Sequence, residues 1–156
     1  MQKIHPYRLD AFSSGETGAI AFVEGTNVNL MRDWPLAPST AASGAIEKIA
    51  SWPKNKPWPR VEIVMSHAGA DGSMVDLLVT SGVDGLVIAC TGNGTLHHLL
   101  EAAIERAEHA GVRIALASRC WDGRMVGKSS GLSNGGAGLS PVKARIQLML
   151  ELMLEQ

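Results

Sequence analysis

Residues 84–104 read "DGLVIACTGNGTLHHLLEAAI", and the change of rhythm inside this stretch decides the fold. "DGLVIAC" (84–90) is a nearly unbroken apolar run, the pattern of a strand covered on both faces. After "TGNGT" (91–95), Leu96, Leu99, Leu100, Ala103, Ile104 and Ala107 recur at helical spacing, with His98, Glu101, Glu105 and Glu108 opposite them. This predicts a helix over roughly 95–110, ended by Gly111. Strand, glycine-rich loop and helix in that order are the parts of a βαβ unit and a parallel sheet.

The alternation extends in both directions. "VEIVM" (61–65) and "VRIALAS" (112–118) read as the flanking strands, and "DGSMVDLLVTSG" (71–82) as a helix carrying Met74, Val75, Leu78 and Val79 on one side and stopping at Gly82. The last helix opens at Ser140 and Pro141, a capping serine before a proline whose missing amide proton is not needed there. Its polar residues Lys143, Gln147, Glu151 and Glu155 form one narrow stripe, while Leu148, Met149, Leu150, Leu152, Met153 and Leu154 are apolar. So wide an apolar circumference predicts a second buried contact, read as a subunit contact. The alternative is a helix wedged between sheet and linker of the same chain.

Residues before 61 follow another pattern. "AIAFVEGTNVNLM" (19–31) reads as two short strands about a glycine-containing turn, and "PLAPSTAASG" (35–44) as a connector. "WPKNKPWPR" (52–60) places three prolines in nine residues, which predicts an extended, semi-rigid linker kept solvated by its basic groups. The expected organisation is a hairpin arm over 1–35, a Pro/Trp-rich linker over 36–60 and an α/β domain over 61–156. A lone hairpin is marginal in water, so the arm must pack on something.

A chain of 156 residues fits one domain and can bury a core without covalent staples. Cys90 and Cys120 are the only cysteines, a count typical of a reduced compartment. The amino terminus lacks the regions of a signal peptide, and no apolar run reaches the roughly 20 residues of a membrane span. Cytoplasm is the default location. Fourteen Lys plus Arg balance fifteen Asp plus Glu, so no general field draws in nucleic acid or an anionic membrane.

In an open parallel sheet, ligands lie beyond the carboxyl ends of the strands, where "TGNGT" is placed. Its amides and the following helix dipole suit a carboxylate or similar anion. As a nucleotide fingerprint it is incomplete, with His97 where a third glycine belongs and Arg113 and Ile114 near the ribose-binding position. A plain tight turn capped by Asn93 or Thr95 is the alternative. His67, Cys90 and Cys120 fall at the same sheet edge and have the donor types of a zinc site, but they lack any closely spaced ligand pair. His97 and His98 are neighbours and do not chelate from one helix face. No G-x-S-x-G elbow or nucleophile, base and orienter set is present, and "SSGLSNGGAG" (129–138) suits a lid or an ordinary surface loop equally.

Taken together, "GVDGLVIACTGNGTLHHLLEAA" (82–103), "ALASRCWDGRMV" (115–126) and "GLSPVKARIQLMLELML" (138–154) resemble the carboxyl-terminal domain of the bacterial-type L-asparaginase/glutaminase family. "HPYRLDAFSSGETGAIAFVEG" (5–25) is similar to the segment near the end of that family's amino-terminal domain. The resemblance implies a three-layer Rossmann-like α/β domain, its short parallel sheet flanked by helices and preceded by a β-hairpin arm.

It also implies a division of labour. Family members hydrolyse the side-chain amide of asparagine, often also glutamine, through a threonine nucleophile with threonine, aspartate and lysine support. Those residues belong to T-G-G-T and H-G-T-D-T motifs of the amino-terminal domain, and neither motif occurs in these 156 residues. No catalytic residue is therefore expected in this chain, and it is expected to be inactive alone, as if most of the catalytic domain were missing. The family's carboxyl-terminal domain lends its G-N-G loop to a neighbouring subunit's active site. By position this makes Gly92, Asn93, Gly94 and Thr95 substrate-binding, Thr95 reaching toward the α-amino side of the substrate and Asn93 supporting the loop. A carboxylate that several members draw from the later loop has no counterpart between Gly123 and Leu150; Asp122 is the nearest candidate.

No cofactor and no metal are expected. The expected partners are asparagine or aspartate, bound only with a complementing amino-terminal domain, and further copies of the chain, with the arm at 1–35 packing across another copy. A periplasmic parent protein remains compatible with the sequence. The alternative function is a stand-alone small-carboxylate-binding or oligomerisation module.

Overall fold

The computed structural model describes residues 2–34, 41–126 and 138–156, with side chains from residue 44 onward in the second stretch. The loop read at 129–138 lies, except for Gly138, outside the described residues, as does most of the 35–44 connector. The chain divides into two compact units, 1–43 and 44–156.

In the first unit, strands β1 (Gln2–Lys3) and β2 (Phe12–Ser13) pair antiparallel, as do β3 (Ala21–Glu24) and β4 (Asn27–Leu30). The β3–β4 hairpin closes over Gly25 and Thr26, with Gly25 at φ +61°, a conformation that suits a residue without Cβ. Asn29 Nδ2 donates to Glu24 Oε2 across it at 2.9 Å. The sequence shows this hairpin plainly; the two-residue β1–β2 pair is too short to leave a periodic signal.

The second unit holds helix α1 (Ala41–Ala50) from Gly44 onward, strands β5 (Val61–Met65), β6 (Gly85–Cys90) and β7 (Arg113–Ser118), and helices α2 (Ser73–Thr80), α3 (His98–His109) and α4 (Pro141–Glu155). The strands form a parallel sheet in the order β5-β6-β7, in register at Ile63, Val87 and Ala115. Every residue of β6 is buried, which is why its sequence is apolar without alternation. Alternation survives in the direction of its side chains. Leu86, Ile88 and Cys90 enter the core made with α2 and α3, alongside Val75, Leu100, Ala103 and Ile104. Val87 enters the opposite core with Ala115, Ala117, Ala144 and Leu148 of α4.

The approach of α2 to α3 requires glycine at residue 72, where φ is +85°. A Cβ there would overlap Ala103 Cβ and stand 2.9 Å from the Leu99 carbonyl oxygen. At the outer edge Arg106 reaches back from α3 and grips both carboxylate oxygens of Asp76 on α2, at 3.0 and 2.7 Å from its Nη2. That carboxylate raises the Arg106 pKa further above its ordinary value.

Two local features differ from the reading of 36–60 as a linker. Residues 41–50 contain no proline and form α1, whose Lys48 Nζ donates to the Leu154 carbonyl at the end of α4. The proline-rich stretch is not extended throughout: Lys56 N donates to Pro53 O at 3.0 Å in a turn. Trp52 Nε1 donates to Lys56 O at 3.1 Å, and the Lys56 ammonium sits 4.2 Å from the centre of the Trp52 ring. Proline restricts φ but does not prevent the residues between prolines from turning.

Candidate functional site at the sheet edge

The carboxyl ends of β5, β6 and β7 open into three loops, and the middle one, Thr91–His97, contains the glycine-rich motif. It is a closed bend. Thr91 and Thr95 form an antiparallel bridge, with the amides of Gly94 and Thr95 donating to Thr91 O at 3.1 and 3.0 Å. The Thr91 hydroxyl donates to Thr95 O at 3.0 Å. Gly92 and Gly94 have φ of +47° and +85°, and a Cβ on Gly94 would press against Met125 Sδ at 3.4 Å.

This bend moves the start of the helix. Sequence periodicity begins α3 near residue 95, but α3 starts at His98, and its cap is His97, whose Nδ1 accepts from Leu99 N at 3.3 Å. Asn93 and Thr95, expected as caps in the plain-turn reading, are not used in that way. The rings of His97 and His98 lie 4.3 Å apart at a tilt of 34°.

Asn93 instead clasps the loop after β7. Its Nδ2 donates to Val126 O at 2.7 Å, and Val126 N donates to its Oδ1 at 2.6 Å. A carboxamide is the smallest side chain that donates and accepts side by side, so it can bind one backbone unit on both edges. The two loops are joined again nearer the sheet. Ser118 Oγ donates to Gly92 O at 2.8 Å and accepts from Cys120 N at 3.0 Å, while Arg119 N donates to Cys90 O at 3.0 Å. Spacing alone cannot reveal Ser118, since a serine at a strand end is commonplace; only the register that sets β7 beside β6 brings it under Gly92.

Among the side chains that could face a ligand, Thr95 is exposed and its hydroxyl has no partner among the described residues. Asp122, the nearest candidate for a carboxylate from the later loop, is also exposed. The loop after β5 holds Asp71, whose Oδ1 accepts from Ser73 N at 3.0 Å and from the Ser73 hydroxyl at 2.7 Å. Those bonds, the backbone one first, hold the Asp71 carboxyl below the usual carboxylate range.

The three zinc-type residues have separate surroundings. Cys90 is wholly buried in the α2–α3 core, Cys120 is exposed, and His67 Nδ1 is 2.9 Å from Ala68 O. Among the described residues no three His, Cys, Asp or Glu side chains come together in a way that could hold a metal ion. Burial pushes the Cys90 thiol up to about 11.

Known proteins resemble this chain in sequence and fold. Residues 60–156 match the glutaminase/asparaginase C-terminal domain. The chain is 29% identical over 126 residues to a glutamyl-tRNA(Gln) amidotransferase polypeptide of Pyrococcus furiosus, a match that covers 80% of this chain and 27% of that one. It is also 29% identical over 97 residues to L-asparaginase 2 of Bacillus subtilis, covering 60% and 26% of the two chains. A crystal structure of a probable cytoplasmic L-asparaginase from Campylobacter jejuni superposes with a TM-score of 0.77 at 26% identity, over 97% of this chain and 46% of that one. The chain thus spans less than half the length of each of these relatives.

Proposed function

Because the chain belongs to the glutaminase/asparaginase C-terminal domain family, we propose that its Gly92–Thr95 loop orients the substrate of an amidohydrolase converting L-asparagine and water into L-aspartate and ammonia. The single observation that carries this reading is the exposed Thr95 hydroxyl, without a partner among the described residues, on a loop whose neighbouring polar groups are engaged in holding its shape. A hydroxyl can accept from an α-ammonium or donate to an α-carboxylate, and a fixed loop presents it without an ordering cost. Gly92, Asn93 and Gly94 supply the backbone around it, with Asn93 acting through Val126 and not on the substrate.

The nucleophile comes from outside residues 1–156, which contain neither T-G-G-T nor H-G-T-D-T. The chain works with a catalytic segment and with further copies of itself, the 1–35 arm lying across a second copy. The exposed apolar side chains of that arm, Phe22, Val23, Val28 and Leu30 among them, support a covered position in the assembly. A cytoplasmic setting accords with the description of the Campylobacter jejuni relative.

Ammonia release from L-asparagine and L-glutamine tests the reading, first with the chain alone and then with a fragment bearing the two threonine motifs. The expected result is turnover only in the mixture, lowered about tenfold by Thr95→Ala, the loss of one charge-assisted contact. Robust turnover by the chain alone overturns it. Aspartate binding with no turnover in the mixture would point to a carboxylate-binding module instead. Sedimentation at micromolar concentration checks the oligomer: a monomer with a protease-resistant arm contradicts the exchanged-arm assembly.

A further inference from the structure

We infer that Ser118, at the end of β7, is a positioning residue for the Gly92–Thr95 loop, an inference that rests on the substrate-orienting reading of that loop. The residue is half-buried and its hydroxyl is engaged twice: it donates to Gly92 O at 2.8 Å and accepts from Cys120 N at 3.0 Å. The Gly92 carbonyl can only accept, so the single hydroxyl proton of Ser118 is committed to it, while the Cys120 amide holds the oxygen in place. The Gly92 carbonyl is thereby turned toward β7.

A trans peptide is planar, and its N–H lies on the edge opposite its C=O. Turning Gly92 O toward Ser118 therefore turns the Asn93 N–H away from β7, and that N–H has no backbone partner among the described residues. Glycine would otherwise let this peptide rotate, since a residue without Cβ adopts left-handed and right-handed conformations about equally readily. Asn93 fixes the far side of the same peptide through Val126, and the Thr91–Thr95 bridge fixes the base. Among the described residues, Ser118 is the side chain that bonds the Gly92 carbonyl itself, and with the Asn93 clasp and the bridge in place it sets which way the Gly92–Asn93 peptide faces, and so the outward donor available to the substrate's carboxylate beside the Thr95 hydroxyl.

The experiment compares the full chain with its Ser118→Ala and Ser118→Thr forms. In the ligand-free protein, NMR reads the Gly92 carbonyl carbon and the Asn93 and Thr95 amides. Ser118→Ala is expected to shift these resonances while amide exchange of Val87 and Ile88 in β6 stays at the wild-type rate, and Ser118→Thr is expected to restore them. In the mixture with the motif-bearing fragment, Ser118→Ala is expected to raise KM for L-asparagine about tenfold and to leave kcat within about twofold, because binding rather than bond-breaking is affected. The inference is overturned if Ser118→Ala leaves the loop resonances unchanged, if threonine fails to restore them, or if kcat falls while KM is unchanged. If the wild-type mixture releases no ammonia, the substrate-orienting reading fails, and the loop resonances still decide whether Ser118 sets the peptide.

Discussion

The hairpin arm and the parallel-sheet unit use similar residues to opposite effect. In β6, Leu86, Val87 and Ile88 are each fully buried, whereas in the β3–β4 hairpin Val23 is 71% and Val28 63% exposed although they face each other across the strands. Ala11 is the only buried apolar residue of the 1–43 unit among those described. A strand pair satisfies its own backbone, but two strands have no layer to bury either face, so the hydrophobic contribution must come from elsewhere. The sheet unit has helices on both faces and is complete as a core. The arm is complete only as a surface.

The largest effect that can break this comparison is removal of core volume. Leu86→Ala should destabilise the chain by about 3–5 kcal/mol in denaturant unfolding, through lost burial and a residual cavity. Val23→Thr in the arm should stay within about 0.5 kcal/mol. Equal losses at the two sites would show that the arm has a core of its own.

The glycines sharpen the same contrast. Gly72→Ala forces a Cβ into Ala103 and the Leu99 carbonyl at a left-handed residue, and should cost about 2–4 kcal/mol of stability by thermal denaturation. Gly25→Ala, also left-handed but with nothing within 4 Å of its added Cβ, should cost only about 1 kcal/mol of backbone strain.

The smallest effect concerns the thiols. With its thiol pushed up to about 11 by burial, Cys90 stays protonated, and at pH 8 iodoacetamide should modify only Cys120 in the native chain, as read by mass spectrometry. The sign for stability follows from linkage. The unfolded thiol ionises near its ordinary value of about 8.5, while the folded one holds its proton until about 11. The Cys90 contribution is therefore full below about pH 8.5 and declines as pH rises toward 11, and Cys90→Ala should flatten that alkaline slope.

Much of this architecture was legible in the chain. The runs at 61–65, 84–90 and 112–118 are strands within one residue of their apolar limits, because strands covered on both faces are mostly apolar: the central β6 has no polar side chain but that of Cys90, and the flanking strands carry only Glu62, Arg113 and Ser118. The start of α3 was less legible. Periodicity continues back to Leu96, but the Thr91–Thr95 bridge and the His97 cap displace the helix to residue 98. Helix α1 was hidden between proline-rich flanks, which masked ten residues that contain no proline.

By itself the sequence determined the α/β order, the two-sided burial of the sheet and the placement of the glycine loop at its carboxyl edge. These follow from local rhythm, since burial on one or both faces of an element imposes its period on neighbouring residues. Tertiary structure alone decided that Asn93 would hold Val126, 33 residues away, and that Ser118 would turn the Gly92 carbonyl. Those contacts depend on which strand lies beside which, and hydrogen-bond partners far apart in the chain leave no period in it.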